Sequence, residues 1–186
     1  MAGVYNYRKA TMHDLEDISD LISREIGTCE IDTNEEKKKN FKEIKEINKK
    51  ELSFSVLNYF ICEIEDKVVG ACGISELLPK DHYEMNYTNC KEILYCAVDH
   101  KYQRRGIGTK LMELCCENTN DTIIYEAWGA NKEYVNSKYI LEKLNFKMIK
   151  DLGNDYYKKR GYCPYCVNRN KICDSCSAQL WVREGN

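Results

Sequence analysis

Glu92-Ile93-Leu94-Tyr95-Cys96-Ala97-Val98, Asp99-His100-Lys101-Tyr102 and Gln103-Arg104-Arg105-Gly106-Ile107-Gly108-Thr109-Lys110-Leu111-Met112 follow one another without a break, and a change of period inside this stretch decides the fold. The first segment is a short apolar run with aromatic and β-branched residues, bounded by charge, which predicts a mostly buried strand. Beyond it Ile107, Leu111 and Leu114 recur at helical spacing, which predicts a helix starting near Gly106 with that face against a sheet. Strand, glycine-bearing turn and helix are therefore consecutive.

A helix N-terminus presents unpaired N–H groups and partial positive charge, and glycines let phosphates approach such a backbone closely. Arg104 and Arg105 sit beside it, so the loop suits a pyrophosphate with arginines on its outer oxygens. A dinucleotide fingerprint would need a third glycine where Leu111 stands, and a P-loop would need Gly-Lys-Ser/Thr where Gly108-Thr109-Lys110 stands. What remains is Gln-x-x-Gly-x-Gly, with Val98 closing the strand five residues earlier. This pattern resembles the acetyl-CoA signature of the GNAT superfamily of N-acetyltransferases. The resemblance implies acetyl-CoA as co-substrate, held by Ala97, Val98, Gln103, Arg104, Arg105, Gly106, Ile107, Gly108, Thr109 and Asn131.

Outward from this stretch, residues 4–9 alternate as a strand, and Thr11 precedes an apolar helical face of Leu15, Ile18, Leu21 and Ile22 that Gly27 ends. Residues 34–51 predict a charged helix with Phe41, Ile44 and Ile47 as a narrow apolar stripe. Tyr59–Ile64 and 67–74 predict a hairpin through Glu65-Asp66, with Cys62 and Cys72 diagonal across it as free thiols. Residues 77–90 lack periodicity and predict a loop, which in a GNAT fold borders the acceptor site. After the central helix come a turn at 118–121, a strand at 122–128, a helix at about 133–144 and two last strands at 146–150 and 155–159. This order resembles the GNAT fold throughout, an α/β mixed sheet flanked by helices. Residues 1–160 are expected to form that domain and 161–186 a small C-terminal zinc knuckle or ribbon.

The 186 residues suffice for one main core. A 43 % apolar, 31 % charged composition with a net charge of −2 describes a soluble protein without a global pull toward nucleic acid or membrane. No leader-like apolar segment and no membrane-length run appears, so the expected location is cytoplasmic. Of the eleven cysteines, seven scatter through the first 120 residues, as suits reduced buried thiols in a reducing compartment, and four crowd into the last 25.

Those four are Cys163-Pro164-Tyr165-Cys166 and Cys173-Asp174-Ser175-Cys176. Each C-x-x-C turn aims two thiolates at one centre, and two such turns complete the tetrahedral sulfur set of structural zinc. A four-sulfur site leaves no open position, so the expected Zn2+ is structural. Residues 158–186 carry six Lys/Arg, with Tyr162, Tyr165 and Trp181 among them. Such a surface can bind nucleic acid, but docking of the module on its own domain is the favoured expectation.

In the implied GNAT arrangement the strands at 92–98 and 122–128 splay apart, the pantetheine arm lies between them, and a backbone N–H polarises the thioester carbonyl. An acceptor amine with a pKa of about 10 is protonated at neutral pH, so a base or water chain must deprotonate it. Glu92 resembles the catalytic glutamate of the histone-acetylating branch. Glu126, in Tyr-Glu-Ala-Trp-Gly-Ala-Asn, resembles the base of ribosomal-protein N-terminal acetyltransferases. Glu92 is favoured. Many members place a general-acid tyrosine five residues before the end of the next helix, where this chain has Leu141; Tyr134 and Tyr139 are the nearby tyrosines. Cys96 is read as buried, not as a nucleophile. The expected acceptor is an amine on a protein or small molecule, and a homodimer is left open. The alternative is a catalytically inactive acyl-CoA-binding or zinc-stabilised interaction or nucleic-acid-binding module.

Overall fold

The computed structural model describes residues 4–26, 34–75, 90–129, 137–153, 156 and 177–185. The chain forms β1 (Asn6–Lys9), α1 (Leu15–Glu25), α2 (Asn34–Leu52), β2 (Tyr59–Ile64), β3 (Lys67–Ser75), β4 (Cys90–Val98), α3 (Ile107–Glu117), β5 (Thr122–Gly129), α4 (Lys138–Lys143), β6 (Lys147–Gly153) and β7 (Ser177–Arg183). The strands make one seven-stranded sheet in the order β1-β2-β3-β4-β5-β7-β6. All neighbours are antiparallel except β4 and β5, which run parallel around the α3 crossover.

Alternation along the strands sends apolar side chains to both faces, and helices cover each. On one face Ile107, Leu111, Met112 and Cys115 of α3 pack on Val69, Cys72, Ile93, Ile123 and Ala127, with Leu141, Phe146 and Trp181. Gly70 permits this approach: a Cβ there would stand 2.8 Å from Ile107 Cγ2 and 2.9 Å from Leu111 Cδ1. On the other face Ile18, Leu21 and Ile22 of α1 and Leu52 of α2 pack on Tyr59, Ile61, Ala71 and Ala97. Each buried Val, Leu, Ile, Met or Phe among them contributes about 1.5–3 kcal/mol of transfer free energy.

The start of α1 follows the sequence. Thr11 and Asp14 close a reciprocal capping box, with the Thr11 N–H donating to Asp14 Oδ2 at 2.7 Å. Arg8 adds two 2.8 Å bonds to the Asp14 carboxylate and a bond to Glu63, and its guanidinium pulls Asp14 down to about 2. The α2 stripe differs from the expected one. Ile44, Asn48 and Leu52 are buried in place of Phe41, Ile44 and Ile47, because Asn48 Nδ2 donates to Ser23 Oγ at 2.7 Å and so has a partner inside the interface.

A larger difference concerns the end of the chain. The sequence reading places a strand at 155–159 and assigns everything from 161 onward to an appended tail. Ser177–Arg183 instead forms β7, which pairs with β5 from Ile123↔Arg183 to Gly129↔Ser177 and with β6 on its other edge. Trp181 enters the α3-side core while Leu180 and Val182 pack with Ile124 on the opposite face. A strand buried on both faces and paired on both edges is integral to the sheet. The four cysteines thus fall in the connection between β6 and β7; they lie outside the described residues, as does the expected strand apart from Tyr156. The expected helix at 133–144 is seen as Lys138–Lys143, its earlier residues also being outside the described ones.

Candidate active site

Two irregularities in β4 build the site. Cys72 pairs with Cys96 and Ile74 with Ile93, so β4 spends three residues where β3 spends two, a bulge at Leu94–Tyr95. Across from it, Gly73 lies beneath the fully buried Tyr59: a Cβ there would be 2.4 Å from the ring. The second irregularity is on the opposite edge. β4 and β5, nine and eight residues long, share the register only at Cys90↔Thr122, Lys91↔Ile123 and Glu92↔Ile124. Past Glu92 the two strands part. A bulged strand bends, and with the β4–β5 ladder ending at Glu92↔Ile124 a cleft opens between the two strands.

The mouth of this cleft is the N-terminus of α3. Asp99 caps the 3-10 turn His100–Tyr102, accepting the Lys101 N–H at 3.0 Å. Arg104 and Gly106 then take left-handed conformations, φ 60° and 81°, which swing the chain into α3. Gly106 is the N-cap and supplies no side chain, and a Cβ on it would meet nothing within 4 Å. The first intrahelical bond is Lys110 N–H to Gly106 O at 3.0 Å, so the N–H groups of Ile107, Gly108 and Thr109 precede the ladder. Orphan donors, a positive helix end, open space at a glycine and exposed Lys101, Arg104 and Arg105 together fit a pyrophosphate.

The sequence-predicted site residues divide accordingly. Gly106, Gly108 and Thr109 line the first turn of α3. Gln103 braces the loop, its Nε2 donating to Val98 O at 2.9 Å, and Arg105 donates to Lys101 O at 3.1 Å with its guanidinium 5.4 Å from the Tyr102 ring centroid. Ile107 is a core residue against Gly70, and Ala97 is buried against the α1 side. Asn131 lies outside the described residues.

Residues 16–131 match the Acetyltransferase (GNAT) family. The chain belongs to the GNAT acetyltransferase family. Solved structures share its fold. The PH1933 protein of Pyrococcus horikoshii OT3 aligns with a TM-score of 0.66 at 19 % identity over 98 % of this chain and 99 % of that one. The ribosomal-protein-alanine N-acetyltransferase of Escherichia coli aligns with a TM-score of 0.62 at 14 % identity over 96 % and 92 %. A longer Pyrococcus horikoshii acetyltransferase-fold chain aligns with a TM-score of 0.58 at 20 % identity over 81 % of this chain, which spans 46 % of that protein. No curated protein sequence matches.

In this GNAT N-acetyltransferase both candidate bases lie on one face of the sheet. Glu92 is the register partner of Ile124, and Glu126 is two residues further along β5, so the pleat points all three the same way, opposite α3. Glu92 marks the last paired position and Glu126 stands within the splay. Tyr156 was not anticipated: its hydroxyl donates to Glu126 Oε2 at 2.8 Å. Leu141, where many family members carry the tyrosine, is fully buried in the α3-side core and has no proton to give, and Tyr139 is 73 % exposed; Tyr134 lies outside the described residues. Cys96 Sγ sits 4.0 Å from Gly108 O, packed under the helix start. Cys62, Cys72, Cys115 and Cys116 are free and buried, and burial pushes the Cys116 thiol up to about 11, far from nucleophilic use.

Proposed function

We propose that this enzyme transfers the acetyl group of acetyl-CoA directly to an amine, without an acyl-enzyme. The observation that carries the reading is the parting of β4 and β5 after Glu92↔Ile124, beside a β4 bulge and an α3 N-terminus that no side chain caps. Pantetheine would extend the broken sheet as a short strand, the pyrophosphate would take the α3 N–H groups and the arginines, and a bulge N–H would polarise the thioester carbonyl. Glu92 takes the proton from the attacking amine, with Glu126 as the second candidate. As nitrogen bonds to the carbonyl carbon the C–S bond breaks, and the CoA thiolate leaves without a tyrosine from α4. The acceptor is an amine on a protein or small molecule.

Calorimetric titration with acetyl-CoA, followed by an amine screen read by free thiol release, tests this. One micromolar site and turnover with an amine support it. Binding without turnover on any amine would favour an inactive acyl-CoA-binding module, and no binding would reduce the loop to a turn.

Zinc held by Cys163, Cys166, Cys173 and Cys176 would staple the β6–β7 connection and so the placement of β7, a structural role consistent with a donor set of four thiols. One zinc per chain is expected by metal analysis of the protein. Cys173→Ser should release it and lower Tm by roughly 5–10 °C. Metal-free wild-type protein of unchanged Tm would eliminate the site. Docking of this segment on its own domain is favoured over nucleic-acid binding. The free buried thiols support a reducing, cytoplasmic setting. Among the described residues no helix is long and apolar enough to cross a membrane.

A further inference from the structure

Glu25, Asp99 and His100 bring three potential metal donors within 4.8 Å of one another, at the point where α1 meets the turn leading into the α3 loop. The cluster already has its cation. Arg24, in the last turn of α1, donates from Nη2 to Asp99 Oδ2 at 3.1 Å, from Nε to Glu25 Oε1 at 3.1 Å and from Nη1 to Asp20 Oδ2 at 2.9 Å. His100 Nδ1 lies 3.2 Å from Glu25 Oε1 on the outer side.

The Asp99 carboxylate works in two directions. It is only 3 % exposed, so its charge needs a partner inside the protein, and Arg24 provides it. Its other oxygen accepts the Lys101 N–H at 3.0 Å, while the carbonyl of the same Lys101 accepts from Arg105 Nη2 at 3.1 Å. Its backbone is also tied, N–H to Val69 O at 2.9 Å and C=O to the Tyr102 N–H at 2.8 Å. A chain of contacts thus runs from Arg24 on α1, through Asp99 and the backbone N–H and C=O of Lys101, to Arg105 beside the proposed phosphate-binding turn.

We propose that Arg24 is a positioning residue for acetyl-CoA: through Asp99 it holds the turn that sets Lys101, Arg105 and the start of α3, although it belongs to a helix on the other face of the sheet and touches no part of the cofactor site. The inference rests on the proposed use of the α3 N-terminus for acetyl-CoA. Its geometry also joins α1, which packs with Leu52 of α2 on the sheet, to the loop proposed to bind the co-substrate.

Calorimetry with CoA and acetyl-CoA tests it without an identified acceptor. Wild-type protein binding CoA establishes the site itself; its failure to bind would remove the functional reading, whatever the variants do. Given that site, Arg24→Ala is expected to weaken CoA about tenfold, and Arg24→Lys, which restores one cationic donor, to recover part of the loss. Asp99→Asn keeps an oxygen for the Lys101 N–H but cannot accept from Arg24 in the same way, so it should weaken CoA similarly. The double variant Arg24→Ala/Asp99→Asn should bind no worse than Arg24→Ala, because it removes the buried charge that the single change leaves unpaired. Asp20→Ala, which removes a partner of Arg24 on its own helix, should bind as wild type. Once an acceptor is known, Arg24→Ala should raise KM for acetyl-CoA with kcat unchanged at saturation, a split that general loosening would not produce. Equal affinity in wild type and Arg24→Ala, or independent additive losses for Arg24 and Asp99, would overturn the proposal. Should Arg24→Ala fail to fold, the same comparison is made between Arg24→Lys and Asp99→Asn.

Discussion

Gly108→Leu is expected to weaken acetyl-CoA binding by about 100-fold or more. A Cβ at this position would already stand in ordinary contact with its surroundings, 3.5 Å from Val98 Cγ2, 3.6 Å from Ile140 Cδ1 and 4.0 Å from Cys96 Sγ. Alanine therefore fits, and because it is a better helix former than glycine, Gly108→Ala should bind within about threefold of wild type and gain up to about 1 kcal/mol of stability. The branched end of leucine has no such room. It must push the first turn of α3 away from β4 and α4, and a displacement of about 1 Å takes the N–H groups of Gly108 and Thr109 out of hydrogen-bonding geometry with a phosphate, a misplacement that costs on the order of 100-fold. Calorimetry on the three proteins, with Tm as the control for folding, reads the result. Wild-type affinity in Gly108→Leu would mean that the turn serves packing alone.

Glu92→Gln is expected to leave acetyl-CoA affinity within about twofold and to lower kcat by 10²–10⁴, roughly the range for removal of a general base. The amide keeps the size and much of the hydrogen bonding of the carboxylate but cannot take a proton from an ammonium. Its residual turnover should climb about tenfold per pH unit below the amine's own pKa of about 10, because only the free amine reacts and its fraction grows in that proportion. Glu126→Gln discriminates between the two carboxylates. Glu126 is bound by the Tyr156 hydroxyl at 2.8 Å, and if it is the base, its substitution alone produces the large loss and Glu92→Gln does not. Small losses in both variants would assign deprotonation to a water chain.

The part of the site legible in the sequence is the part made by neighbours in the chain. The strand ending at Val98, the left-handed Gly106 and the helix from Ile107 are contiguous, and their period and glycines declare them. The Thr11 cap and the hairpin turn at Glu65-Asp66, both residues at positive φ, are equally local. Other features depend on partners far away in sequence. Arg24 and Asp99 are 75 residues apart, and Glu126 and Tyr156 are 30 apart, so nothing in either local pattern announces the pair. Asn48 is polar on a helical wheel, yet it is fully buried with its Nδ2 donating to Ser23 Oγ of another helix.

The end of the chain shows the same limit. Basic and aromatic residues around two C-x-x-C turns read as an appended module, yet Ser177–Arg183 is the strand that fills the sheet between β5 and β6. By itself the sequence determined the element types from β1 to β6, the phosphate-suited turn after β4 and the membership of both glutamates in strands, since propensity, period and glycine conformation act over a few residues. Only the tertiary structure decided where β7 belongs, that β4 and β5 part after three paired positions, and that both carboxylates share one face at that parting. Strand order, register and the compensation of a buried charge are set by contacts between segments distant along the chain, and such contacts leave no period to read.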